Sequence, residues 1–355
     1  MTETETETTN GAGAGAGAAT TDWPTAELHV HLEGTMEAEL VVELARRNGI
    51  ALPTDDPVVL RESYAFADLQ EFLDRLYANL RVLRTEQDFH DLASAYLRRA
   101  HRANVRRAEM FFDPQTHLGN GIPFEAVIGG LASALDEARR ELGMSVALIP
   151  CLLRERGADA AMDMLDVIMP FREHYVALGM VSTEVGYPPP LFADVYARAA
   201  SEGLHLVAHA GEEGPPEYVR DAVDVLHVER VDHGNRSMED PELVRRLAEL
   251  RMPLTVCPLS NVALGTAPRE LSRHPLPAMM AAGLVVTVNS DDPAYFGGYI
   301  DDNYRAIASA LPLDAAALAT LARNSFTASF AEPHEKEAWI AEVDAVLAGA
   351  AEAAG

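Results

Sequence analysis

Short apolar runs alternate with longer stretches of helical periodicity along most of this 355-residue chain. Eight of the runs have the length and composition of β-strands, and such an alternation is typical of strand–helix units arranged around a parallel sheet. The predicted strands span residues 26–31, 105–112, 145–152, 175–182, 204–210, 228–234, 252–258 and 284–290.

Eight parallel strands separated by helices favour an α/β fold of the closed TIM type, a (β/α)8 barrel. An open doubly wound sheet is the alternative, but no glycine-rich phosphate loop follows any of the eight runs. The longest gap, between the first and second strands, contains at least three helical stretches, and Thr85 is a predicted N-cap within it. We therefore predict a barrel with a helical insertion after the first strand and a C-terminal helix around residues 336–353.

The charge balance limits the classes of partner. Lys and Arg total 28 against 55 Asp and Glu, a net charge of −27, which argues against binding nucleic acid through its phosphates. No apolar run approaches the length needed to cross a bilayer, and the N-terminus lacks the pattern of a secretory signal. We expect a cytoplasmic protein that binds neither nucleic acid nor membranes.

The chain divides into a tail and a single predicted domain. Residues 1–22 contain almost no large apolar side chain, so we predict a disordered, low-complexity tail. Residues 23–355 are predicted to form one barrel domain. Cys151 and Cys257 each lie inside an apolar run and are expected to be reduced residues of its core.

Histidines and acidic residues stand at or just after the ends of four predicted strands, the first, fifth, sixth and eighth. Because the chemistry of a barrel lies at the carboxyl ends of its strands, we expect these side chains to share one site. A role in core packing alone does not explain them, because burying unpaired polar side chains costs free energy. They are, in chain order, His29, His31, His209, Glu212, Asp232, His233, Asp291 and Asp292.

Four of these residues form a candidate metal site. His29 and His31 alternate along a strand and therefore project to the same side. With His209 and Asp291 they give three imidazoles and one carboxylate, a set suited to zinc, with iron or manganese as alternatives. A bound divalent ion lowers the pKa of water to about 7, which points to hydrolysis.

At these residues the sequence resembles the adenosine and adenine deaminases of the metal-dependent amidohydrolases, from about Ala26 to about Arg323. The resemblance implies a TIM-type barrel with one zinc ion per chain, held by the four residues just named. The matching segments are ELHVHLEGT (27–35), HAGEEGPPEY (209–218), RVDHG (230–234), CPLSN (257–261) and VNSDDPAYFGGY (288–299).

The resemblance also implies catalytic roles. Glu212 matches the acid that protonates N1 of a purine, and His233 matches the histidine that orients and deprotonates the attacking water. Asp292 matches the carboxylate that contacts this water and N7 of the base. Asp232 is expected either to support the metal ligands or to accept hydrogen bonds at a strand end.

Three segments, 111–117, 182–190 and 290–299, look like the adenine branch of this family. Glu33 stands where adenosine deaminases usually carry Asp, and with the bulkier Ser182 it is expected to crowd a ribose. The substrate-binding residues implied are Glu33, Ser182, Gly186 and Asp292. The sequence thus predicts zinc-dependent deamination of adenine to hypoxanthine and ammonia in purine salvage, with a small-molecule purine as the partner.

Two other functions stay open. One is deamination of adenosine or of another 6-aminopurine, such as an N6-substituted adenine or a larger adenine-containing metabolite. The other is a catalytically silent barrel that binds a purine.

Overall fold

The structure is a computed structural model that describes residues 22–354. Eight strands form one parallel sheet in chain order, which confirms all eight predicted strands with their ends moved by at most two residues. The strands are β1 (Thr25–His31), β2 (Val105–Phe112), β3 (Ser145–Leu153), β4 (Ala177–Val181), β5 (His205–Ala210), β6 (Arg230–His233), β7 (Pro253–Val256) and β8 (Val285–Val288). The predicted tail, apart from Asp22, lies outside the described residues.

The sheet closes into a barrel between β1 and the residues that follow β8. Val30 and Asp291 form a parallel bridge. The amide of His31 donates to the carbonyl of Asp291 at 2.9 Å, and the amide of Asp291 donates to the carbonyl of His29 at 3.0 Å. The predicted TIM-type barrel is confirmed, and its closure brings two of the segments with candidate metal ligands side by side.

Helices connect the strands and cover the outside of the barrel. The α-helices within residues 22–354 are α1 (Ala38–Asn48), α2 (Pro57–Glu62), α3 (Leu69–Leu80), α4 (Glu86–Arg102), α5 (Pro114–Gly119), α6 (Phe124–Glu137), α7 (Gly157–Ile168), α8 (Ala193–Ser201), α9 (Pro216–Asp224), α10 (Pro241–Leu250), α11 (Pro258–Leu264), α12 (Leu276–Ala281), α13 (Pro293–Phe296), α14 (Ile300–Ala310), α15 (Ala315–Ala328) and α16 (Pro333–Ala354). A π-helical turn, Ala138–Leu142, extends α6. Short 3-10 turns cover Glu33–Thr35, Arg154–Arg156, Met169–His174, Pro189–Phe192, Asn235–Glu239 and Leu271–Arg273.

The predicted insertion and C-terminal helix are both present. Helices α1 to α4 lie between β1 and β2, and α4 begins at Thr85 with a capping box. The Asp88 amide donates to Thr85 Oγ1 at 3.3 Å, and the Thr85 amide donates to Asp88 Oδ2 at 2.8 Å, which satisfies two amides of the helix start. Helix α16 buries Val343 against the core.

The amino-terminal end of the barrel is filled by buried charges that pair with one another. Glu109 accepts from Arg230 at 2.7 Å and from Arg107 at 3.0 Å. Cys151 and Cys257 are free and buried, as expected. Among residues 22–354, no helix combines the length and apolar character needed to span a membrane.

Candidate active site

The strand ends gather the predicted site residues at the carboxyl face of the barrel. His29 and His31 lie on β1 and His209 lies on β5. The register of β5 against β6 pairs His209 with Asp232 and Ala210 with His233. The closure of the barrel then brings in the segment after β8, so residues far apart in the chain meet in one place.

Three non-glycine residues at these strand ends have left-handed backbone conformations. The φ angles are 75° for Ser182, 63° for His233 and 66° for Asp291. Such conformations are uncommon for residues with a Cβ, and they concentrate where a side chain must be aimed at a ligand. The backbone of this face therefore carries strain at the residues predicted to function.

Four candidate ligand atoms converge. One atom from each of His29, His31, His209 and Asp291 lies within 4.8 Å of the others. Asp291 Oδ1 is 3.3 Å from Nε2 of His29 and 3.3 Å from Nε2 of His31, and the Nε2 atoms of His31 and His209 are 3.3 Å apart. The four side chains surround a single point rather than forming separate pairs.

The donor set fits a divalent cation. His29 Nε2 is buried and has no hydrogen-bond partner among the described residues. Burial lowers the pKa of His209 to about 4, so this ring is neutral and can ligate. Three imidazoles and one carboxylate are ordinary ligands of zinc. A second group joins Cys257 and His233 to His29 and Asp291, but burial raises the pKa of the Cys257 thiol well above its usual range, which disfavours the thiolate that a metal would need.

Asp232 and Thr255 orient the histidine ligands from behind. Thr255 Oγ1 donates to Asp232 Oδ1 at 2.9 Å and lies 2.8 Å from Nδ1 of His29. Because the Thr255 proton goes to Asp232, its oxygen accepts from Nδ1–H of His29, which leaves Nε2 free to ligate. Asp232 Oδ2 also lies 3.6 Å from Nδ1 of His209. Thr255 was not among the residues singled out in the sequence.

Glu212, His233 and Asp292 lie beside the ligands. His233 Nε2 is 3.5 Å from Glu212 Oε2 and 3.9 Å from Asp291 Oδ2. Burial, followed by the charge of Asp291, raises the pKa of Glu212 well above its usual range. Burial lowers the pKa of His233 well below its usual range. A neutral acid and a neutral imidazole therefore face each other, which suits proton transfer in both directions.

A buried carboxylate holds the loop that carries Glu212. Glu184 accepts from four successive amides, those of residues 211–214, at distances between 2.6 and 3.1 Å. One of these donors is the amide of Glu212 itself. Glu184 belongs to the 182–190 segment noted in the sequence. Its contact with the loop of residues 211–214 could not be predicted, because only folding brings the two segments together.

The site opens into a cavity lined by both polar and apolar side chains. Its polar wall includes Glu33 and Ser182, two of the residues predicted to bind the substrate. Gly186 does not line it: Gly186 is exposed in a turn with φ of 92°, which accounts for the glycine there. The apolar wall comes from α3, α11, α13 and β4, through Leu69, Phe72, Leu73, Leu76, Val181, Leu264 and Phe296.

Glu33 is held in place by the segment after β2. Its Oε1 accepts from the amide of Asp113 at 2.8 Å and lies 2.8 Å from Nε2 of His117. Asp113 also lines the cavity, and it too was not among the residues singled out in the sequence. Glu33 is therefore part of a buried polar cluster at the cavity wall.

Comparison with known proteins agrees with this geometry. Residues 24–346 match the family model described as adenosine deaminase. The adenine deaminase of Streptomyces coelicolor is 56% identical over 324 residues, covering 91% of this chain and 95% of that protein. The adenine deaminase of Cupriavidus necator is 54% identical over 321 residues, covering 90% and 91%.

Solved structures of related proteins have the same fold. The crystal structure of adenine deaminase from Arthrobacter aurescens superposes with a TM-score of 0.89 at 50% identity, covering 91% of this chain and 99% of that one. An amidohydrolase from Burkholderia ambifaria, solved with bound zinc, gives a TM-score of 0.86 at 30% identity, covering 94% and 93%. By its sequence and by its fold, this chain belongs to the adenosine deaminase family.

Proposed function

We propose that this chain hydrolyses adenine to hypoxanthine and ammonia with one zinc ion at its active site. The observation that carries the proposal is that a neutral Glu212 and His233 lie beside a cluster of three imidazoles and one carboxylate at the carboxyl end of the barrel. Relatives that are 56% and 54% identical along nine-tenths of the chain are adenine deaminases, which supports adenine as the substrate. A cytoplasmic location and a role in purine salvage belong to the same proposal.

His29, His31, His209 and Asp291 would hold the zinc ion. When bound there, the ion supplies Lewis acidity that makes water nucleophilic near neutral pH. A structural relative with 30% identity contains zinc, which supports this metal over iron or manganese.

Glu212 acts as the acid and then as the base. Its raised pKa keeps it protonated, so it gives its proton to N1 of adenine and makes C6 electrophilic. After water adds to C6, the carboxylate takes back a proton from the new hydroxyl. The carbonyl of hypoxanthine forms at that point, and N1 keeps the proton it received.

His233 moves the second proton. Its neutral ring takes a proton from the water while the oxygen bonds to C6. The imidazolium then gives this proton to the amino group, the bond from C6 to the amino nitrogen breaks, and ammonia leaves. Every proton taken from water is thereby accounted for.

Asp292 fixes the position of the base. Its carboxyl is buried, and Oδ1 has no hydrogen-bond partner from the described part of the chain. Burial raises the pKa of Asp292 well above its usual range, so the neutral carboxyl can donate to N7 of the purine. A base that is held at N7 by Asp292 and at N1 by Glu212 has its C6 atom facing the attacking water.

A panel of competing substrates tests the proposal. Adenine, adenosine and N6-methyladenine are given to one preparation whose zinc content is measured. We expect kcat/KM for adenine to exceed that for adenosine by at least about 100-fold, because a ribose must fit beside Glu33 and Ser182. A higher kcat/KM for adenosine or N6-methyladenine would replace the proposed substrate.

A further inference from the structure

Asp113 occupies the N-cap position of α5 but does not cap the helix. An Asp at this position ordinarily accepts a hydrogen bond from an amide of the first helical turn. Within residues 22–354, the Asp113 side chain makes no such bond, and its Oδ1 is buried without a partner. A residue that gives up its local stabilising role is often committed to a functional one.

Glu33 presents a second free oxygen in the same cluster. Its Oε1 is occupied by the Asp113 amide and by His117, whereas Oε2 is buried and lacks a partner among the described residues. Both carboxyl groups line the cavity that is also lined by Glu212, His31 and His209. An unsatisfied buried acceptor is costly, so a bound molecule with a donor is the natural partner.

The proposed function places the five-membered ring of the purine on the side of the cavity where this cluster lies. Glu33 precedes Gly34, and Gly34 packs against the side chain of Asp292. In the proposed function Asp292 contacts N7, which belongs to that ring. An acceptor here would therefore face N9, the next ring nitrogen beyond C8.

N9 separates the free base from the nucleoside. In adenine this nitrogen carries a hydrogen and is a donor, whereas in adenosine it carries the ribose and cannot donate. A buried acceptor that has lost its donor partner disfavours the wrong substrate far more strongly than crowding alone.

We propose that Asp113, positioned by Glu33, accepts a hydrogen bond from the N9–H of the free base and so selects adenine over its N9-substituted forms. This inference rests on the proposed function. Burial, followed by the charge of Glu33, raises the pKa of Asp113 well above its usual range. A neutral carboxyl can accept from N9–H and also donate to N3, the adjacent acceptor on the same edge.

The test compares adenine with 9-methyladenine, which lacks the N9 hydrogen, in the wild-type enzyme, Asp113→Ala and Asp113→Asn. We expect the wild type to prefer adenine by about 1,000-fold or more in kcat/KM. In Asp113→Ala, kcat/KM for adenine should fall about 100-fold while that for 9-methyladenine stays level or rises. Asp113→Asn keeps an acceptor oxygen and should stay within about 10-fold of wild type on adenine.

Two results would overturn the inference. One is a kcat/KM for adenine in Asp113→Ala within about 3-fold of the wild type, which would leave only a steric role. The other is an equal fall for both substrates, which would indicate general disruption of the site.

Asp314 provides the matched control. It is the N-cap of α15, and its carboxylate does accept from an amide, that of Ala317 at 2.8 Å. Asp314→Ala should lower the melting temperature and leave the substrate preference unchanged, whereas Asp113→Ala should not lower it. A wild type that deaminates adenosine but not adenine would refute the proposed function itself, before any variant is measured.

Discussion

Gly34 lies in direct contact with Asp292: a Cβ atom added to Gly34 would stand 1.9 Å from Oδ1 of that carboxylate and 2.5 Å from its Cβ. The side chain of Asp292 therefore occupies the space that any larger residue at position 34 would need. Residue 34, in the turn after β1, is therefore a glycine because the side chain of Asp292 approaches its backbone too closely for a Cβ atom to fit.

We predict that Gly34→Ala displaces Asp292 and lowers kcat/KM for adenine by about 100-fold, since a shift of about 1 Å in a catalytic group has an effect of this size. Circular dichroism should show that the fold is kept. The control is Gly349→Ala in α16, where nothing in the described part of the chain lies within 4 Å of the added Cβ. Equal kcat/KM in Gly34→Ala and Gly349→Ala would show that catalysis does not depend on the contact between Gly34 and Asp292.

Glu184 should control the acid through its loop. In Glu184→Gln, an amide NH2 group replaces one of the oxygens that accept from the amides of residues 211–214, so we expect kcat to fall by about 10-fold or more. The negative charge of Glu184 also raises the pKa of Glu212. Removing that charge lowers this pKa, and because the protonated acid is the active form, the alkaline limb of the pH–rate profile should move to lower pH.

The control for this variant is Glu213→Gln. Glu213 also raises the pKa of Glu212 by its charge, but the loop amides bond to Glu184 and not to its side chain. Glu213→Gln should shift the pH profile slightly without a large fall in kcat. If Glu184→Gln has an unchanged kcat, the loop does not need its carboxylate.

Asp232 should tune the affinity for the metal without being a ligand. It contacts Nδ1 of His209 at 3.6 Å and supports His29 through Thr255. Asp232→Asn is expected to weaken zinc binding by about 10–100-fold, while His31→Ala should abolish stoichiometric binding. Competition with a chromogenic chelator measures the zinc affinity of both variants. An unchanged zinc affinity in Asp232→Asn would show that Asp232 does not help to hold the histidine ligands.

The stability of the fold should depend on His274 in acid. Burial lowers the pKa of His274 to about 4, whereas in the unfolded chain it is about 6.5. Between these values the unfolded chain binds a proton that the native chain does not. The free energy of unfolding therefore decreases as the pH falls through this window, by at most about 3 kcal/mol.

His274→Asn should flatten that dependence, because Asn retains an acceptor for the amide of Leu276, which donates to Nδ1 of His274 at 3.1 Å. Urea unfolding at several pH values between about 7 and about 4 measures the slope. His101→Asn, at an exposed position on α4, should keep the wild-type slope. If the free energy of unfolding depends on pH equally in both variants, groups other than His274 cause the loss of stability in acid.

Much of the fold could be predicted from the sequence because it depends on local patterns. Each strand was visible as an apolar run, and the capped start of α4 was visible at Thr85. The histidines and carboxylates could be placed at the same face because the carboxyl ends of parallel strands share one edge of a barrel. The convergence of His29, His31, His209 and Asp291 follows from that rule.

The remaining features depend on contacts between segments that no local pattern encodes. Glu184 meets four amides across 27 to 30 positions of sequence, and Asp113 belongs to a turn that reads locally as an ordinary helix cap. Gly186 was grouped with the substrate-binding residues by its segment, although the turn faces solvent. The direction in which a loop side chain points is fixed by its neighbours in space.

The most direct test of the central claim is to measure zinc content and ammonia release from adenine on the same samples of wild type and Glu212→Gln. We expect about one zinc per chain in both proteins and a loss of turnover of about 100-fold to 10,000-fold in the variant. Ammonia release at the wild-type rate by Glu212→Gln, or full activity of a wild type stripped of metal, would contradict the account.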